Sequence, residues 1–123
     1  MKTEKIQRNL MQELFFRAKD GMLEQNDKCE ISGHSAFFHD GQACGYGHLI
    51  DKKYWEKSYI PSKQQIMSSN NLTLEEYQYI KFPLSILKSG LIYIHDRFEP
   101  EDWPEQLDYL QQRLQIPDVE TIK

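Results

Sequence analysis

Asp40-Gly41, set between Phe37-Phe38 and Ala43, is the strongest local instruction in this chain. An aspartate followed by glycine between apolar residues favours a two-residue turn with positive φ at both central positions, and so a β-hairpin. The turn also sets a register. His39 faces Gln42, Phe38 faces Ala43 and Phe37 faces Cys44; farther out, Ser35 faces Tyr46, His34 faces Gly47 and Gly33 faces His48. The expectation is one β-hairpin over about residues 30–50, with strands at Glu30–Phe38 and Ala43–Ile50.

That register decides what the most reactive residues can do. Cys29, His34, His39, Cys44 and His48 include both cysteines and three of the four histidines. Such a set invites a metal-binding reading. In a strand, side chains alternate between faces, which puts His34 opposite Cys44 and His48. Cys44 and His48 share a face, but four strand residues span about 13 Å, whereas zinc ligands must lie within roughly 2.0–2.3 Å of one ion. The CxxC spacing that makes a zinc assignment strong is also absent. No cofactor or metal is expected, and a metal-binding protein is the weaker alternative. A Cys29–Cys44 disulfide fails similarly, because Cys29 falls near Lys52 and bridging needs Cα atoms within about 7 Å.

One reactive pair survives. His39 is a diagonal cross-strand neighbour of Cys44, and a thiol beside an imidazole is the minimum for nucleophilic catalysis. A hydrolase or transferase using Cys44 and His39 is therefore the main alternative. No third orienting group or oxyanion hole is visible beside them. The simpler reading makes Cys44 a small buried hydrophobe and His39 a polar turn residue. Gly45 and Gly47 leave one hairpin face bare, which predicts close packing there by a helix.

The rest of the chain reads as helix. Ile6, Leu10, Met11, Leu14, Phe15, Ala18 and Met22 recur at helical spacing over Thr3–Leu23, with Thr3 as a candidate N-cap and Gln25-Asn26-Asp27 beyond the end. Pro61-Ser62-Lys63 opens a short helix through Met67, followed by a loop at Ser68–Asn71. Thr73 and Glu76 form a capping-box pattern, so a helix starts at Thr73. Pro83 is expected to interrupt or kink it. The stretch after Pro83 is either a second helix, or a helix to Lys88 and one further short strand at 91–95, with Gly90 as the break. The last helix begins near Asp102 with Trp103-Pro104 in its first turn and Leu107, Leu110 and Leu114 as its apolar stripe. Pro117 closes it, and the tail 117–123 is expected to be loose. The fold class is α+β, a mostly helical single domain, which 123 residues can sustain.

Charge points to function. No apolar run approaches the roughly 20 residues of a membrane span, and the charged N-terminus is unlike a secretory signal. These features predict a cytoplasmic protein with free thiols and no membrane partner. The net charge is −4. Between Asp96 and Asp108 six carboxylates stand against Arg97 alone, a local charge of −5. Such a surface repels nucleic acid and attracts basic proteins. Carboxylates also favour a helix N-terminus, and Trp103 could be a core anchor. Their number nevertheless exceeds what capping needs, and an aromatic embedded in acidic surface suits an interface. The partner-binding candidates are Asp96, Glu99, Glu101, Asp102, Trp103 and Glu105. Size, acidity and the lack of an assembled active site suit a functional type that includes bacterial immunity proteins, antitoxins and phage-encoded inhibitors. The expected role is thus protein binding rather than catalysis, with a basic partner such as a nuclease toxin.

Overall fold

Asn9 opens the first helix in a computed structural model that describes residues 9–31, 34–35, 37–39, 41–57 and 61–118. Its Oδ1 accepts the backbone N–H of Gln12 at 3.0 Å, satisfying one of the donors that a helix N-terminus leaves unpaired. Helix α1 (Leu10–Gln25) turns Leu14, Phe15, Ala18 and Met22 inward and ends on Asn26 in the left-handed region. The expected start at Thr3 is corrected to Leu10, because Asn9 has non-helical backbone (φ −86°, ψ 89°). Thr3 and Ile6 themselves lie outside the described residues.

The segment after α1 holds two short antiparallel hairpins where one long one was expected. Strands β1 (Glu30–Ile31) and β2 (His34–Ser35) pair with each other, as do β3 (Phe38–His39) and β4 (Gln42–Ala43). The register at the Asp-Gly turn is the expected one: Phe38 opposes Ala43 and His39 opposes Gln42. Gly41 takes φ +81°, while Asp40 lies outside the described residues. One further rung survives, the Cys44 N–H donating to the Phe37 carbonyl at 3.0 Å. Beyond it the long ladder is corrected: Ser35 pairs back onto Glu30, and Gly47–Leu49 forms a 3₁₀ turn. Burial gives the reason. Cys44 through Gly47, then Leu49 and Ile50, are all buried, and a strand, alternating in and out, cannot bury neighbours on one side. The chain coils here so that Tyr46, Leu49 and Ile50 all reach the core.

Helix α2 (Lys63–Asn70) starts with a capping box between Ser62 and Gln65. It runs one turn past Met67, because Asn70 donates to the carbonyls of Ile66 and Leu49, both at 2.8 Å. Helix α3 (Leu74–Arg97) starts at the expected box between Thr73 and Glu76. Neither Pro83 nor Gly90 breaks it, and Leu91–His95 is helix, not strand. Pro83 deprives only the Tyr79 carbonyl of its helical donor, on a side where Tyr79 is open to solvent. Gly90 serves packing: a Cβ there would lie 2.6 Å from Leu110 Cδ1, so the glycine lets the last helix approach. Leu87, Leu91, Ile94 and His95 are buried along this face.

A 3₁₀ turn at Pro100–Asp102 leads into helix α4 (Trp103–Arg113), which buries Trp103, Leu107 and Leu110. Gln115 at φ 58° and the Ile116 N–H donating to Gln111 O close it. At the first two residues of the expected loose tail, Gln12 Nε2 donates to the carbonyls of Pro117 and Asp118. Residues 119–123 lie outside the described residues. Helix α1 packs on α3, α4 and the 3₁₀ turn at Gly47–Leu49, and one core cluster unites them. The fold is thus a mostly helical α+β domain. Among the described residues, no helix is long and apolar enough to cross a membrane.

Candidate functional site

The cysteine and histidine segment is spent on structure. Cys44 is buried, and its Sγ accepts the Gly47 N–H at 3.4 Å. Burial pushes this thiol up to about 12, so essentially no thiolate forms at neutral pH. Cys29 is buried too and pushed to about 11 by the same cause, with its thiol donating to Gln42 O at 3.4 Å. His39 sits exposed at the turn. The catalytic pair therefore lacks an activated nucleophile. Among the described residues, no three His, Cys, Asp or Glu side chains converge as metal ligands; the side chain of His34 is outside them. Gly45 meets Met22 of α1 and Leu91 of α3, the helical packing expected of it, whereas Gly47 fits under the Phe37 carbonyl and the Phe38 ring.

His48 has become a wall. Gln25 Oε1 accepts the Ala43 N–H while Gln25 Nε2 donates to the Ala43 carbonyl. That pairing orients the amide, so His48 Nε2, 3.1 Å from the same oxygen, must be the donor. Its other edge presses on Gly21, where a Cβ would lie 2.5 Å from Nδ1. Burial, helped by the Arg17 guanidinium, pushes this imidazole down to about 4. His48 borders a cleft of about 600 Å³ shared with Arg17, Asp20, Glu24, Lys52 and Trp55. Neither cysteine lines it, and Arg17 is already engaged with Asp51 at 2.9 Å. Two basic and two acidic side chains leave the cleft without a charge preference.

His95, the one histidine outside the Cys29–Asp51 segment, is almost wholly enclosed. Its Nε2 accepts the Cys29 N–H at 2.9 Å, so the ring proton is on Nδ1, which donates to Asp96 Oδ1 at 3.0 Å. Its ring stacks on Trp103. An Asp–His pair of this kind resembles general-base geometry, but the nitrogen that would act is capped by a backbone amide. The cluster pins the chain entering β1 to the end of α3.

The acidic segment divides between the core and the surface. Trp103 is fully buried, its indole N–H donating to Phe98 O at 3.1 Å. It is a core anchor, and its assignment to the contact surface is corrected. Asp96 serves His95, and Glu99 pairs with Lys28 at 3.6 Å. Glu101, Asp102 and Glu105 are exposed. Helical periodicity puts Glu105, Asp108 and Tyr109 on the side of α4 opposite Trp103, Leu107 and Leu110. Tyr109 is 55% exposed and donates its hydroxyl to Glu105 Oε2 at 3.1 Å, a bond that raises the phenol's pKa. The outward aromatic of this face is thus Tyr109 rather than Trp103. The sequence held a signal for it, since Tyr109 stands four residues after Glu105 and off the leucine stripe. Comparison of the chain with protein-family models, curated proteins and solved structures found no match.

Proposed function

We propose that this protein acts in the cytoplasm by binding a basic protein and occluding that partner's working surface, as inhibitors of the immunity or antitoxin type do. The observation that carries the reading is the outward face of α4 and the 3₁₀ turn before it, where Glu101, Asp102, Glu105, Asp108 and Tyr109 are all exposed, Glu105 accepts the Tyr109 hydroxyl and Asp108 also pairs with Lys19 at 3.5 Å. Fixed carboxylates speed encounter with a basic surface, and a tyrosine adds large contact area at small entropic cost. A nuclease toxin suits such a face because it must itself carry basic surface to hold phosphate. The buried Cys44 thiol counts against the Cys44 and His39 enzyme reading.

The test is affinity capture from host lysate at low salt, comparing wild type with Glu101→Lys/Asp102→Lys. A basic protein held by the wild type, released by salt and bound at least tenfold more slowly by the variant, is expected. Equal association rates for wild type and variant would overturn the reading.

A further inference from the structure

Helix α3 carries a second exposed face, an aromatic one, on which Tyr93 also packs edge-on against Phe98 and lies under the Arg97 guanidinium. Tyr79 is 85% exposed, Phe82 75% and Tyr93 53%. With Ile86, which is partly exposed, they follow the 3–4 residue spacing of a single helix stripe. Exposed aromatics in a row on one helix are costly in water and mark contact surfaces.

The order of residues along this stripe specifies what covers it. Tyr79 lies as far before Ile86 as Tyr93 lies after it, and Glu75 lies as far before Ile86 as Arg97 lies after it. Glu75 and Arg97 are both exposed. A two-fold axis through Ile86 would therefore lay α3 antiparallel on the α3 of a second copy. Tyr79 would meet Tyr93, Phe82 would meet the small, exposed Ser89, and Ile86 would meet its own mate. Glu75 would oppose Arg97 at both ends, about 16 Å from the axis at 1.5 Å rise per residue. A two-fold contact requires this reciprocity, each residue meeting a complement on the same surface. A stripe built for an unrelated partner has no reason to be its own complement in charge.

We infer that the chain forms a homodimer through this antiparallel α3 pair. The surface is distinct from the α4 face, so the dimer would present two acidic faces to its partners. A contact carried by one helix is small against the roughly 800 Å² per partner of a standard interface, so association is expected to be reversible.

Sedimentation equilibrium of the full chain tests this. The mass should rise with concentration from 14.7 kDa towards twice that value. Phe82→Glu, at a position that leaves the core intact, should weaken association at least tenfold. Glu75→Arg should weaken it, and adding Arg97→Glu should restore it. Ile86→Cys should form a covalent dimer on mild oxidation while Ser85→Cys does not; Cys29 and Cys44 are buried and add no background. A mass that stays at 14.7 kDa at high concentration overturns the inference. So does a dimer that survives Phe82→Glu, or equal cross-linking at both introduced cysteines. Glu101→Lys/Asp102→Lys should leave the dimer unchanged, which separates failure of this inference from failure of the proposed function.

Discussion

Two stretches hold most of the chemistry-bearing side chains, Cys29–Asp51 and Asp96–Tyr109, and the fold uses them in opposite ways. The Cys29–Asp51 stretch resembles a reactive centre, and its cysteines are turned inward while His39 stays exposed. Both thiols are buried, His48 is locked between Gln25 and Gly21, and Gly45 and Gly47 serve packing. The Asp96–Tyr109 stretch reads as a uniform acidic surface and is split. Trp103 enters the core and Asp96 serves His95, while Glu105, Asp108 and Tyr109 face out. The same functional groups do different work depending on whether water reaches them. Burial suppresses charge on a thiol or imidazole, and exposure leaves a carboxylate free to act at long range.

The sharpest way to break this comparison is to make the inward stretch react. With its thiol pushed to about 12, Cys44 should be alkylated about a thousandfold more slowly than a free cysteine at neutral pH. Its rate should recover fully in denaturant. Fast labelling of the folded protein would reopen the catalytic reading.

Next in size is the division within α4. Trp103→Ala empties the corner beneath His95 and should cost about 3–5 kcal/mol in urea unfolding. Tyr109→Ala should change stability by less than about 0.5 kcal/mol while weakening partner binding. Equal losses from the two would erase the distinction between inner and outer halves.

The third effect is a pH dependence. The folded protein holds His48 near 4, below its ordinary 6.5. Between those values the unfolded chain binds the extra proton, so stability rises with pH through this window. The contribution is complete above about 6.5 and is lost as pH falls towards 4, on the order of 2–3 kcal/mol. Urea midpoints measured from pH 7 to 4.5 should show the decline, and His48→Gln should flatten it. A pH profile identical in the variant would show that His48 is not the source.

The smallest effect concerns Gly21. Alanine normally stabilises a helix interior by about 1 kcal/mol relative to glycine. Here the new Cβ would lie 2.5 Å from the His48 ring, and overpacking of this kind costs about 1–3 kcal/mol. Gly21→Ala should therefore destabilise by about 1 kcal/mol net, and Gly21→Ala/His48→Ala should show positive coupling in a double-mutant cycle. A stabilised single variant would mean that His48 yields easily and is no fixed wall.

Local signals in the chain were reliable where the interaction is itself local. The Thr73–Glu76 box, the left-handed stop at Asn26 and the pairing of His39 with Gln42 all close within a few residues. The leucine stripe of α4 likewise follows from helical period alone. The errors occur where distant parts meet. Gly90 reads as a breaker, but its missing side chain makes room for Leu110. Leu91–His95 reads equally as helix or strand until α1 and α4 are placed around it. Tyr46, Leu49 and Ile50 leave the expected ladder because three helices offer them more buried contact than a strand partner can.

By itself, the sequence determined the class of the fold, the starts of α2, α3 and α4 and the acidity of its last third. Capping hydrogen bonds, apolar period and formal charge are properties of neighbours along the chain. Only the tertiary structure decided which cysteines, histidines and carboxylates keep their chemistry. Solvent access is set by what packs from far away in sequence: Gly47 against Cys44 is local, but Cys29 on His95 and Gln25 on His48 are not. Those distant contacts leave the outward carboxylates and tyrosines of α3 and α4 exposed to solvent.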